Sequence, residues 1–207
     1  MRLLAILALL VAPQAAASLA ILPVADGRII WVARPFQPAE VRTPAPPFSD
    51  FVASLALVTT NANQDSRVGT LSLSGSGETF VDGAGDTDNG SLYDLTFRVD
   101  QPATFTVTAV VGGSMEYITV RLGDSSHDLF DFELSGFGQT QLEESGVLAP
   151  GTDYRLVIGG AHPPTGYQVG TYWEFEFAVA VPEPTSALLA LLCLFACRVS
   201  GWQRRAG

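Results

Sequence analysis

From Val68 onward, apolar and polar residues alternate with a period of two, the mark of strands with one buried and one solvated face. Tyr93, Leu95, Phe97 and Val99 alternate with Asp94, Thr96 and Arg98. After a turn at Gln101-Pro102, Phe105, Val107, Ala109 and Val111 alternate with Thr104, Thr106 and Thr108. This pair reads as a hairpin covering a core. The same pattern returns at Ile118, Val120 and Leu122, at Phe130, Phe132 and Leu134, and at Tyr154, Leu156 and Ile158. It ends with Trp173, Phe175, Phe177 and Val179, with Glu174 and Glu176 outward. Turn residues punctuate the series: Gly75-Ser76-Gly77 after a strand at 68–74, Gly112-Gly113, the stretch 123–126, and a corner at 148–154. In that corner Pro150 presets one turn residue and Gly151 supplies a positive φ. Upstream, residues 28–32 read as a strand, and 51–60 as a buried strand or a short helix. No long period of about 3.6 occurs in the body. Many short strands at near-regular spacing predict an all-β chain, an antiparallel sandwich of jelly-roll type.

The two ends depart from this pattern. Met1-Arg2, the apolar run 3–12, Pro13 and Ala15-Ala16-Ala17 have the order of an export signal with an A-x-A cleavage site. Cleavage after Ala17 leaves Ser18 as the new N-terminus; an uncleaved anchor fits less well, because the run is short and Pro13 ends it. At the other end, Val181-Pro182-Glu183-Pro184 presents Glu183 on an extended spur, since each proline biases the residue before it toward extended backbone. Residues 187–197 follow as an uncharged run of helix formers, then Arg198, Arg204 and Arg205. Eleven residues give roughly 16 Å of helix, short of the ~30 Å hydrocarbon core, so the tail is a marginal span unless Arg198 snorkels.

This order of short polar motif, weak span and Arg end resembles the PEP-CTERM sorting signal of exported bacterial surface proteins. The resemblance covers 181–207 and implies recognition at Pro-Glu-Pro by a membrane enzyme of the exosortase type. The basic end is sparser than that pattern, three Arg over eight residues. In the body, 91–97, 102–105 and 148–156 look like the β-sandwich common among PEP-CTERM proteins. They are also similar to the pre-peptidase C-terminal domains appended to secreted proteases, which implies an accessory sandwich with no catalysis of its own. The expected organisation is a signal peptide at 1–17, a Pro-rich arm at 18–50 pinned by Phe36, Phe48 and Phe51, a sandwich at 51–181 and a sorting tail at 182–207.

Charge narrows the function classes. Lysine is absent, and residues 18–181 hold seven Arg against twenty acidic residues, a net charge of −13. A field of that sign repels nucleic acid and anionic lipid and attracts cations or basic surfaces. Both cysteines, Cys193 and Cys197, fall in the tail, so the body has neither disulfide nor thiol chemistry. No nucleophile-elbow, dinucleotide, phosphate-loop or zinc-protease motif occurs. His127 and His162 are expected in loops without metal spacing. Ser125-Ser126-His127-Asp128 reads as a turn, because neighbours in sequence do not face one another as a triad must. Glu174 and Glu176 share a strand face and admit two readings, a glycosidase pair or a solvated surface, of which the surface is preferred.

The sharpest candidate in the body is the acidic, Gly-rich stretch 82–91. Asp82, Asp86, Asp88 and Asn89 offer oxygen ligands at calcium-loop spacing, and the competing reading is a plain polar turn. No cofactor is expected beyond that possible calcium. The expected role is structural or adhesive, in the cell envelope, at the surface or in the extracellular polysaccharide matrix, with transient anchoring in the inner membrane by the tail. The alternative is a carbohydrate- or calcium-binding module; Tyr117, Tyr167, Tyr172 and Trp173 along one face favour sugar stacking, and the same rings buried favour a scaffold. No enzyme activity is expected.

Overall fold

The computed structural model describes residues 19–34, 37–57, 59–82, 88–114, 117–162 and 168–182. Among them there are thirteen strands and no helix. The strands are β1 (Ile21–Asp26), β2 (Ile29–Ala33), β3 (Glu40–Arg42), β4 (Phe51–Leu57), β5 (Thr60–Val68), β6 (Ser72–Asp82) and β7 (Asp88–Val99). They continue as β8 (Ala103–Gly113), β9 (Ile118–Gly123), β10 (Asp128–Leu134), β11 (Gly138–Leu148), β12 (Tyr154–His162) and β13 (Gln168–Ala180). Two antiparallel sheets face each other as a sandwich: a seven-stranded one in the order β10-β9-β12-β7-β2-β3, with β1 also on β7, and a six-stranded one in the order β11-β8-β13-β6-β5-β4.

From β6 onward the chain changes sheet at every connection except the β9–β10 hairpin. The expected hairpin of residues 93–99 and 105–111 is therefore corrected. β7 pairs with β12, β2 and β1, whereas β8 pairs with β11 and β13 in the opposite sheet. Crossing over lets both apolar faces meet, which a flat hairpin does not allow without a third element. Tyr93, Leu95, Phe97 and Val99 of β7 thus meet Phe105, Val107, Ala109 and Val111 of β8 and Trp173, Phe175 and Phe177 of β13 in one buried cluster. Phe97 and Phe105 each pack their ring on Phe177, with centroids 5.3 and 5.8 Å apart.

Three other expectations change. The turn expected at Gly75-Ser76-Gly77 lies inside β6, and the chain turns earlier, where Gly69 N donates to Ser72 O at 2.8 Å. These glycines serve close packing: a Cβ on Gly77 would lie 2.3 Å from Ser91 Oγ and 2.5 Å from the Trp173 ring. Residues 51–57 form a strand at the sheet edge, which resolves the choice between strand and helix. The sandwich also begins at Ile21, so much of the expected arm is built into it. β1 and β2 run along one edge of β7, and a register shift between Pro23 and Ala25 accommodates the proline.

The corner at 148–154 is as expected. Gly151 has φ 75°, its N–H donates to Val99 O at 3.1 Å, and the buried Tyr154 hydroxyl accepts from Ala149 N at 2.8 Å.

Candidate functional site

Strand parity decides where the candidate calcium residues go. Asp82 ends β6 on the exposed side of the six-stranded sheet, while Asp88 opens β7 on the other sheet and accepts from Trp31 Nε1 at 3.4 Å. Asn89, next along β7, turns between the sheets and is fully buried. Its Nδ2 donates to Thr60 Oγ1 at 2.8 Å, Asn61 O at 2.6 Å and Phe80 O at 3.0 Å. Asn89 is thereby engaged inside the sandwich through its amide nitrogen, and Asp86 lies outside the described residues. Among the described residues, no group of three His, Cys, Asp or Glu is placed to hold a metal ion.

The Ser-His-Asp run forms a turn on the surface. Asp124 Oδ1 accepts from Ser126 N at 2.7 Å, Ser126 Oγ at 2.7 Å and His127 N at 2.9 Å. These bonds hold the Asp124 carboxyl below its usual range, the Ser126 hydroxyl contributing most. Ser126 Oγ lies 2.8 Å from His127 Nδ1, so the carboxylate engages the serine and leaves the imidazole without an orienting acid. Asp128 is held elsewhere, by Arg121 at 2.7 and 2.9 Å. His162 stands at the end of β12 opposite Asn89, not in a loop.

Arginines on the outer face of the seven-stranded sheet are likewise occupied. Arg98 pairs with Asp153, Arg121 with Asp128, and Arg155 with Asp94 at 2.6 and 2.8 Å. A groove of about 310 Å³ runs beside them, lined by Arg121, Asp124, Asp128, Asp153 and Arg155. Its guanidiniums already hold bidentate carboxylates, so it offers no free cation to an anionic ligand.

The outer face of the six-stranded sheet is different. An open groove of about 480 Å³ is lined by Ser74, Thr108, Val110, Gln141, Glu174 and Glu176. Register explains the set: Glu174 lies between Val110 and Ser76, and Glu176 between Thr108 and Ser74. Both glutamates point outward, as the alternation requires. Tyr172, 40% exposed, lies beside them and covers Gly112, whose missing Cβ leaves room for the ring at 2.5 Å. Of the other aromatic candidates, Tyr117 is exposed ahead of β9, Trp173 is buried with its Nε1 donating to Ser91 O at 3.2 Å, and Tyr167 lies outside the described residues. The four rings therefore do not form one wall.

Sequence reasoning missed the most tightly held polar group. Asp26 at the end of β1, Arg28 in the two-residue link and Ile30 and Val32 on β2 share one parity, so the edge segment that buries two aliphatic side chains also buries an ion pair. Arg28 Nε and Nη2 donate to Asp26 Oδ1 and Oδ2 at 2.9 and 2.7 Å, Nη1 donates to Ser66 Oγ at 3.2 Å, and Nη2 reaches Ser49 O at 2.7 Å. Asp26 Oδ2 also accepts from Phe48 N at 2.6 Å, at a residue with φ 65°. Desolvation pushes the Asp26 carboxyl up, but the bonds from Arg28 and Phe48 outweigh it and leave it below its usual range. The pair ties the Pro-rich segment to both sheets. A carboxylate two residues before an arginine at strand parity is the only sequence signal for it.

The sorting residues lie at the end of β13. Thr104 Oγ1 donates to Ala180 O at 3.2 Å, and then Val181 emerges 55% exposed, followed by an exposed Pro182. Glu183, Pro184, Arg198, Arg204 and Arg205, with Ala15, Ala17 and Ser18 at the other end, lie outside the described residues, as do Phe36 and the expected tail helix. Phe48 packs on the large core cluster and Phe51 in a smaller one with Ile30, Val32, Leu55 and Ala62.

The fold defines a class, the two-sheet antiparallel β-sandwich. No family model and no curated protein matches the chain. Solved structures similar to it include TmCBM61 in complex with β-1,4-galactotriose, 12% identical, with a TM-score of 0.29 over 59% of this chain and 71% of that one. At that overlap the likeness says nothing of what this chain binds.

Proposed function

We propose that the protein is an exported bacterial surface protein of structural or adhesive type. In this reading a jelly-roll sandwich is delivered by the N-terminal signal, and an exosortase-type enzyme recognises it at Pro182-Glu183-Pro184. The observation that carries the reading is where the sandwich stops. β13 ends at Ala180, so the motif begins two residues after the last strand residue, at the exposed Val181-Pro182. A processing enzyme reaches such a spur without opening the core. The sheet-switching order of β6 to β13, with a single hairpin at β9–β10, supports the jelly-roll assignment. The aromatic core, with Tyr93, Phe97, Phe105, Trp173, Phe175 and Phe177 all buried, supports a scaffold over a sugar-stacking wall.

The test is the intact mass of protein recovered from the host envelope, beside a Pro182→Ala, Pro184→Ala double variant. The expected wild-type mass ends near Glu183-Pro184, while the variant retains its tail. A wild type still carrying residues 202–207 would refute the sorting step.

A second reading, carbohydrate binding, rests on one observation: Tyr172 exposed over Gly112 beside the polar groove of Gln141, Thr108 and Glu174. Affinity electrophoresis through gels cast with the host's own matrix polysaccharide checks it. Retardation lost in Tyr172→Ala supports it, and equal mobility with and without polysaccharide rejects it.

A further inference from the structure

Among the described residues, each sheet ends in strands whose outer backbone groups have no partner strand, and such edges template pairing with another chain unless guarded. With β1, which lies against β7 alone, there are five such edges, and four are guarded: β1 carries Pro23 and ends on Asp26. β10 carries Asp128, Asp131 and Glu133; β11 carries Glu143 and Glu144 together with Gly138 and Gly146; β3 is three residues long with Glu40 and Arg42. β4 is the exception. Its sequence, Phe51-Val52-Ala53-Ser54-Leu55-Ala56-Leu57, has no charge, no proline and no glycine, and among the described residues it pairs only with β5. Val52 on its outer face is 74% exposed, and Ala53 and Leu57 are only partly buried against the smaller core cluster.

We infer that β4 is a homodimerisation edge, pairing antiparallel with β4 of a second copy about a twofold axis at Ser54. The strand is complementary to itself in that register. Ser54 meets Ser54, Val52 meets Ala56, Ala53 meets Leu55, and Phe51 meets Leu57. Outward residues meet outward ones and inward residues meet inward ones, so the two six-stranded sheets become one sheet and the smaller cores become continuous. Charge selects this edge over the others. Two copies each carrying −13 in the body repel, and pairing through β10 or β11 would add facing carboxylates, whereas β4 brings none. A basic peptide docking on the edge is the competing occupant, but β4 offers it no carboxylate.

Sedimentation equilibrium on the full chain in mild detergent is expected to give twice the chain mass of 21.9 kDa. Association should tighten as salt rises, because screening relieves the repulsion between the bodies. Ser54→Pro, tolerated at an edge but poor for pairing, should halve the mass while leaving the melting transition in place. Independently, in a Cys193→Ser, Cys197→Ser background, Ser54→Cys should oxidise to a disulfide-linked dimer and Val52→Cys should not, because only residue 54 meets its own copy. A monomer at every concentration and salt, a dimer unchanged by a folded Ser54→Pro, or equal cross-linking at 52 and 54 would overturn the inference. Should Ser54→Pro fail to fold, the cross-linking pattern decides.

Discussion

At Arg28, the parity that buries Ile30 and Val32 also carries a guanidinium between the sheets, where removing either partner of the pair leaves a charge without compensation. Breaking such a buried pair costs roughly 3–5 kcal/mol. Arg28→Ala is therefore expected to lower the melting temperature sharply, whereas Arg98→Ala, which removes an exposed pair, should change it little. The pair also sets a pH response. The folded Asp26 carboxyl titrates below its usual range, so its contribution is fully present above the unfolded value of about 3.9 and is lost as pH falls through the folded value. Thermal melts are expected to hold steady from neutral pH to about 5 and to fall below about 4. Asp26→Asn should lower stability at neutral pH and flatten the acid slope; an unchanged acid slope would remove Asp26 from the account. Little of this is legible in the sequence, because an Asp and an Arg two apart between two strand patterns look like surface residues until the opposite sheet covers them.

Glycine reads as punctuation in a sequence, and in this chain it serves two purposes that only the elements around it separate. Gly151 sits at a turn with positive φ, and the adjoining Pro150 and Tyr154 announce it. Gly75 and Gly77 carry no such flanking signal and belong to the middle of β6, where Ser66, Phe175, Ser91 and Trp173 occupy the space of a Cβ. Gly77→Ala is expected to cost about 1–3 kcal/mol through overpacking and to shift tryptophan emission, since Trp173 must move. Ser76→Ala, one residue along and facing outward, should leave both readouts as they are. β5 was hidden for a related reason. Thr60, Gln64 and Ser66 point inward, so the alternation of polarity that marks a strand is absent, although the alternation of burial is present. Thr60 Oγ1 accepts from Asn89 Nδ2, and Ser66 Oγ accepts from Arg28 Nη1 and Gln64 Nε2, so the interior is polar along this strand.

Across the whole molecule, charge and topology act together. Among the described residues, four of the seven body arginines are spent on Asp26, Asp94, Asp128 and Asp153, so the acidic excess is what the surface presents. That excess disfavours close approach of two copies wherever carboxylates cluster. It makes a charge-free edge such as β4 the low-cost place to meet and predicts the salt dependence of dimerisation given above. The sequence by itself determined the all-β class, the inward faces of β7 to β10, β12 and β13, and the tight corner before β12. These are local properties, set by which residues alternate and which tolerate a turn. Only the tertiary structure decided that β7 and β8 part into opposite sheets and that Gly77 is a packing site. It alone turned the Asn89 side chain inward, and left β4 with β5 on one side and, among the described residues, no strand on the other. Each of these depends on which distant strand lies across the gap, and a period of two is silent about that.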